Sequence, residues 1–138
     1  MRVLLDTNVV LDFVLLRHPF FNEADEIFIR LQNGDFLAYV SAITPINIFY
    51  ITRKEKDKAT AFTAIENLLK IIQITKSNNK IYQNALALNF NDYEDALQNE
   101  CAVEENLDAI VTRNAKDFAN SSIAVYTPTE FLQFLQSV

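Results

Sequence analysis

The stretch Val3-Leu4-Leu5-Asp6-Thr7-Asn8, near the start of the chain, decides the predicted fold. Three consecutive apolar residues, Val3 to Leu5, predict a short buried strand, and the polar residues that follow predict its end. In open α/β sheets, ligands bind at the carboxyl ends of the strands, which is where Asp6 would lie. Asp6 is therefore a candidate functional carboxylate, although an aspartate at this position could also cap the next helix.

The composition predicts a single globular domain over residues 1–138. Half of the residues are hydrophobic, and a chain of this length can bury a sizeable core. No apolar run approaches the roughly 18 residues that a membrane span requires. The chain starts with a strand-like segment and lacks the apolar core of a signal peptide, so we expect a cytoplasmic protein with no membrane association.

Several classes of enzyme are excluded by what the sequence lacks. Gly34 is the one glycine, which rules out the glycine-rich phosphate loops of nucleotide-binding enzymes. His18 and Cys101 are also single, so a zinc site, a Ser-His-Asp triad and an intramolecular disulfide are not expected. The net charge of −6 argues against binding nucleic acid through a general basic surface. It is compatible with a nuclease whose acidic residues bind cations.

Short apolar runs alternate with amphipathic segments along the whole chain. The predicted strands cover residues 3–5, 36–40, 71–74, 109–111 and 123–126, and predicted helices occupy the segments between them and after the last. Ser77 is expected to cap the fifth helix, which is predicted to extend to about Phe90. Strands separated by helices predict an α/β fold, with a parallel sheet covered by helices on both faces.

Two further groups of acidic residues resemble Asp6 in their setting. Asp92 and Asp95 lie in the first turn of a predicted helix, and Asp117 follows the predicted strand 109–111. Acids in a first helical turn are common, and Asp117 could be an ordinary surface residue. If the three groups meet at one sheet edge, however, their carboxylates repel one another unless a cation lies between them. Oxygen ligands without histidine or cysteine favour Mg²⁺ or Mn²⁺, which can hydrolyse phosphodiesters.

Four motifs then resemble the PIN domain of VapC-type toxin ribonucleases, in matching order and spacing over essentially the whole chain. They are VLLDTNVVLD (3–12), VSAIT (40–44), DYEDALQ (92–98) and DAIVTRNAKDF (108–118). The resemblance implies a three-layer α/β/α sandwich, Rossmann-like, around a central parallel sheet. It further implies an endoribonuclease that uses Mg²⁺ or Mn²⁺, an RNA substrate, an antitoxin partner and a homodimer.

The same resemblance assigns the candidate site. It implies that Asp6, Asp95 and Asp117 bind the metal and carry catalysis, and that Thr112 and Asn114 are polar support groups.

Asn47 departs from the family pattern. The family usually carries a glutamate six residues after a serine such as Ser41, and asparagine offers only a neutral carbonyl ligand. With one charge fewer, the site should bind cations more weakly; alternatively, Asn47 is a buried polar residue satisfied by the backbone. Asp12, Asp92 or Glu94 could supply the missing charge. Helical spacing can turn Asp12 and Asp92 towards the same edge, so these two are the preferred auxiliary residues.

Two functions remain open at this point. The first is a metal-dependent endoribonuclease, the toxin of a toxin–antitoxin pair; the second is a PIN-fold module of weakened activity that binds RNA or protein. An aspartyl phosphatase fits poorly, because Asn8 stands where a second acid is expected. Arg113, beside a strand end, is the expected RNA contact. An apolar interface could come from Phe49-Tyr50 or from residues 131–135, although core packing is the favoured interpretation of both.

Overall fold

The computed structural model describes all 138 residues and contains one five-stranded sheet. The strands are β1 (Arg2–Leu5), β2 (Leu37–Val40), β3 (Ile72–Ile74), β4 (Ala109–Val111) and β5 (Ala124–Tyr126). They are arranged in the order β3-β2-β1-β4-β5, and every neighbouring pair is parallel. The predicted parallel α/β fold is therefore confirmed.

Seven α-helices connect and flank the strands. They are α1 (Thr7–Val14), α2 (Phe21–Gln32), α3 (Ile43–Glu55), α4 (Lys58–Leu69), α5 (Asn79–Ala87), α6 (Tyr93–Glu104) and α7 (Pro128–Gln136). Each corresponds to a predicted helix, with ends displaced by a few residues. A short 3-10 helix over Ala115–Phe118 was not predicted. None of the helices has the length and apolar character needed to cross a membrane.

Side chains of β1 alternate between two apolar layers. Val3 and Leu5 pack in the larger core with Phe28 of α2, whereas Leu4 packs in a second core with Phe118. Val3, Leu4 and Leu5 of β1 are fully buried, as expected for a central strand with helices on both faces. This arrangement confirms the three-layer sandwich.

The two segments considered as apolar interfaces differ in burial. Phe131 and Leu135 of α7 are buried in the larger core, which agrees with the core-packing interpretation. Tyr50 of α3 is 62% exposed. Its ring packs edge-on against Phe49, which in turn packs against Phe62 of α4.

The start of α5 differs from the prediction. Asn78, not Ser77, is the N-cap, and its Oδ1 accepts a hydrogen bond of 3.0 Å from the backbone N–H of Ile81. The helix ends at Ala87, before Phe90. Burial of Ile81 and Ala85 sets the position of the first turn, so the residue three before Ile81 becomes the cap.

We therefore expect Asn78→Ala to lower the free energy of unfolding by about 1 kcal/mol, because one N–H of the first turn loses its acceptor. Ser77→Ala is the matched control and should change stability by less than about 0.5 kcal/mol. Urea denaturation of both variants measures the difference. Equal losses would mean that the cap contributes nothing.

Candidate active site

The pairing of β1 with β4 brings Asp6 and Thr112 together. Leu5 lies beside Val111 in the parallel register, and the N–H of Asp6 donates to the carbonyl oxygen of Val111 at 3.0 Å. The residues that follow each strand therefore emerge side by side at the carboxyl edge of the sheet. There the Thr112 hydroxyl donates to Oδ2 of Asp6 at 2.7 Å.

The Asp6 carboxylate is buried and held by three side-chain donors. Besides Thr112, the amide of Gln98 donates to Oδ1 at 3.0 Å, and the amide of Asn8 donates to Oδ2 at 3.1 Å. Asp6 precedes α1, but its side chain makes no capping hydrogen bond to that helix. Asp6 therefore occupies the N-cap position of α1 without capping the helix through its side chain, and its carboxylate is fixed at the sheet edge instead.

A cavity of about 510 Å³ opens at this edge, and its lining is polar and acidic. Five carboxylates line it, together with five side-chain amides, and no lysine, arginine or histidine does. The acids are Asp6, Asp92, Glu94, Asp95 and Asp117; the amides are those of Asn8, Asn47, Asn91, Gln98 and Asn114.

Helix α6 delivers three of the acids. The Asp92 side chain caps the helix by accepting a hydrogen bond of 2.9 Å from the N–H of Asp95. This cap fixes the first turn, so Glu94 and Asp95 lie at the cavity while the following residue, Ala96, is buried. Asp117 reaches the cavity from the 3-10 helix after β4 and is exposed. The carboxylates of Asp95 and Asp117 accept no hydrogen bond, in contrast to that of Asp6.

The crowding of acids changes their protonation. Burial, followed by the negative charges of Asp6, Asp92, Asp117 and Glu94, raises the pKa of Asp95 to about 7. Burial also raises the pKa of Glu94, with smaller contributions from Asp6 and Asp92, while the hydrogen bond from Asn47 acts in the opposite direction. The cavity therefore concentrates negative charge that a proton or a cation would offset.

The donor set of the cavity fits a hard divalent cation. Carboxylate and amide oxygens are the ligands that Mg²⁺ and Mn²⁺ prefer. Oε1 of Gln98 is buried at the cavity without a hydrogen-bond donor, and buried polar atoms normally have a partner. The side chains are not drawn together around a common point, because no group of three or more acidic, histidine or cysteine residues is arranged to hold a metal ion. The residues thus have suitable chemistry without a preformed coordination shell.

Most of the residues singled out in the sequence reach the cavity. Asp6, Asn47, Asp92, Asp95, Asn114 and Asp117 line it, and Thr112 lies behind it, bonded to Asp6 and to the backbone N–H of Asn114.

Asp12 and Arg113 lie outside the cavity and contact each other. Nε of Arg113 is 2.7 Å from Oδ2 of Asp12, which is buried, and the guanidinium stacks over the ring of Phe20 at 3.9 Å. Burial raises the pKa of Asp12, while the neighbouring Arg113 and Arg17 charges lower it.

Sequence reasoning did not identify Gln98 and ranked Glu94 behind other acids. Gln98 lies three residues after Asp95, hence on the same side of α6. The sequence offers no signal for Gln98, because it stands beside the polar residues Asn99 and Glu100; its burial and its bond to Asp6 appear only in the folded structure.

A sequence profile of the PIN domain matches residues 2–116, and the chain belongs to the PIN-domain family. Among solved structures, its fold is shared with VapC-type proteins of toxin–antitoxin systems. A toxin–antitoxin complex from Klebsiella pneumoniae matches with 25% identity and a TM-score of 0.69, covering 91% of this chain and 97% of that chain. VapBC2 from Rickettsia felis, bound to a promoter DNA fragment, has 19% identity, a TM-score of 0.69 and coverages of 92% and 98%.

A third structure, VapC20 from Mycobacterium tuberculosis, is described as a toxin that cleaves the sarcin–ricin loop. It has 8% identity, a TM-score of 0.64 and coverages of 78% of this chain and 86% of that chain. No curated protein sequence matches this chain. The profile and the shared fold confirm the resemblance to VapC-type PIN proteins.

The raised pKa of Asp95 predicts how stability depends on pH when divalent cations are chelated. Between about pH 4 and pH 7 the folded protein keeps a proton on Asp95 that the unfolded chain has lost. This contribution to stability is complete at low pH and is lost as the pH rises through about 7. The free energy of unfolding should therefore decrease across this range.

Urea denaturation in chelator from pH 4.5 to pH 8 measures this decrease. We expect Asp95→Asn to flatten the profile by on the order of 1–2 kcal/mol, since solvent screens this partly exposed group. Asp25→Asn, on α2 away from the cavity, is the control and should keep the full slope. If Asp95→Asn leaves the slope unchanged, Asp95 does not carry the proton.

Proposed function

We propose that this protein is a divalent-metal-dependent endoribonuclease and the toxin of a toxin–antitoxin pair. The observation that carries the proposal is the cavity that five carboxylates, including those of Asp6, Asp95 and Asp117, line without a basic residue. Crowded acids at the carboxyl edge of a parallel sheet are costly for stability, and cation binding is the function that explains them. The description of VapC20 as a toxin that cleaves the sarcin–ricin loop supports the choice of reaction.

The three acids would have different tasks in this reaction. Asp6 is held rigidly by Gln98, Thr112 and Asn8, so it would provide the fixed ligand. Asp95 and Asp117 make no competing hydrogen bonds and can turn towards a cation. Bound Mg²⁺ or Mn²⁺ would supply an activated water and offset the charge on the leaving oxygen. No side-chain nucleophile is then needed, in agreement with a cavity that contains no serine, cysteine or histidine.

Cation binding also explains how an acidic protein can act on RNA. The cavity itself offers no positive charge to a phosphate, so the bound cation would provide it. Asn114 at the cavity rim is a neutral donor for the substrate backbone. The contact between Arg113 and RNA stays a prediction, and it would use the part of the guanidinium that Asp12 and Phe20 leave free.

An antitoxin and a second copy of the chain are the partners that we propose. The complexes from Klebsiella pneumoniae and Rickettsia felis pair related folds with other proteins. In this chain, Ile46 and Tyr50 of α3 and Phe62 of α4 are each more than half exposed, and apolar residues of this kind favour a protein contact.

Asp117→Asn is the sharpest test of the proposed activity. Because Asp117 is exposed and makes no side-chain hydrogen bond, the substitution removes charge and leaves the fold unchanged. We expect Mn²⁺-dependent cleavage of a pool of randomised single-stranded RNA oligonucleotides to fall by about 100-fold or more. Gel analysis of the pool with and without chelator measures it, with the same pool in DNA as a substrate control.

Asp25→Asn is the matched control and should cut RNA as the unsubstituted protein does. Adding Asp95→Asn to Asp117→Asn should lower activity little further, because residues that act through one cation are not additive. If the unsubstituted protein binds Mn²⁺ but cuts no RNA in the pool, the binding module replaces the nuclease as the better proposal.

A further inference from the structure

A hydrogen bond crosses the cavity between α3 and α6. Nδ2 of Asn47 donates to Oε1 of Glu94 at 3.1 Å, and both residues line the cavity. The orientation of the amide follows from chemistry, because only its nitrogen can donate and an ionised carboxylate can only accept. VapC-type proteins usually carry a glutamate at position 47. The hydrogen bond therefore joins Asn47, which differs from this pattern, directly to Glu94 of the opposite helix.

The two positions together provide one carboxyl group. A second carboxylate at position 47 would lie within hydrogen-bond distance of Glu94, and two carboxylates this close cannot both ionise readily. An asparagine at position 47 removes that conflict and orients the carboxylate of Glu94 by donating to it. The donor at position 47 and the acceptor at position 94 therefore depend on each other. If either residue is replaced, the other loses its present hydrogen-bond partner.

The other candidates for the missing charge make no hydrogen bond to residue 47. Asp12 is buried in its ion pair with Arg113 and lies outside the cavity. Asp92 lines the cavity and caps α6 through Oδ1, and no hydrogen bond joins it to residue 47. Glu94 is bonded through Oε1 to residue 47, and its Oε2 accepts no hydrogen bond from the chain. Glu94 is thus the acid that is both next to position 47 and left with an oxygen to offer.

We propose that Glu94 of α6 supplies the fourth carboxylate of the cation site, in place of a glutamate at position 47 of α3. Asn47 is then the positioning residue, which orients the Glu94 carboxylate through its hydrogen bond. This inference rests on the proposed cation-dependent function. With Glu94 as a ligand, the site has as many charged ligands as a site with glutamate at position 47. We therefore expect that the carboxylate and the amide can be swapped between positions 47 and 94.

Isothermal titration calorimetry with Mn²⁺ alone tests the exchange without relying on cleavage. Glu94→Gln keeps the shape of the side chain and an acceptor for Asn47 but removes the charge, and we expect Kd to rise about tenfold or more. The double variant Asn47→Glu/Glu94→Gln returns the charge to α3, where the new amide at position 94 can donate to the new carboxylate at position 47. Its Kd should recover to within about threefold of the unsubstituted value.

Glu66→Gln, on α4 and outside the cavity, is the isosteric control and should not change Kd. Asp117→Asn is measured alongside to separate the two proposals. If Asp117→Asn weakens binding and Glu94→Gln does not, Glu94 is not a ligand and the proposed function still stands. If Glu94→Gln weakens binding and the double variant stays weak, the exchange is wrong. If the unsubstituted protein binds no Mn²⁺, the proposed function and this inference fail together.

Discussion

The structure of the site depends on the parallel pairing of β1 with β4. That register places Thr112 beside Asp6, although 106 residues separate them, and joins them by a hydrogen bond of 2.7 Å. Gln98 from α6 bonds to the same carboxylate, so three elements meet on one side chain. A shift of β4 by one residue would turn its side chains to the opposite face and separate Thr112 from Asp6. The geometry of the site therefore depends directly on the register between β1 and β4.

The apolar core allows the protein to tolerate a cavity full of like charges. Val3, Leu4 and Leu5 are completely buried, and each such side chain contributes about 1.5–3 kcal/mol to folding. The strand that carries Asp6 is thus anchored by its apolar residues, not by the aspartate that follows them. Repulsion among the carboxylates then lowers stability without unfolding the sheet, which is the usual relation between a stable scaffold and a strained functional site.

Local patterns in the sequence predict the sheet, the helices and the common edge of Asp6 and Asp117, whereas the resemblance to the PIN domain adds Asp95 to the site. Apolar runs give the strands, and parallel strands share one carboxyl edge. Helical spacing does not determine which way α1 turns, and Asp12 faces Arg113, a residue 101 positions away. Pairings of this kind depend on how distant elements pack, so they could not be predicted from a single sequence.

Contacts between distant elements also explain why Asn47, considered alone, suggests a weakened cation site. A sequence motif specifies acidic residues by their position in the chain. The binding of a cation in the cavity instead depends on all charges within a few ångströms, whichever helix carries them. Asn47 and Glu94 are 47 residues apart in the chain but 3.1 Å apart across the cavity. The absence of an acid at one motif position therefore does not by itself imply a weakened site. The relevant quantity is the charge that the folded cavity contains, and here Glu94 stands next to the position where the acid is missing.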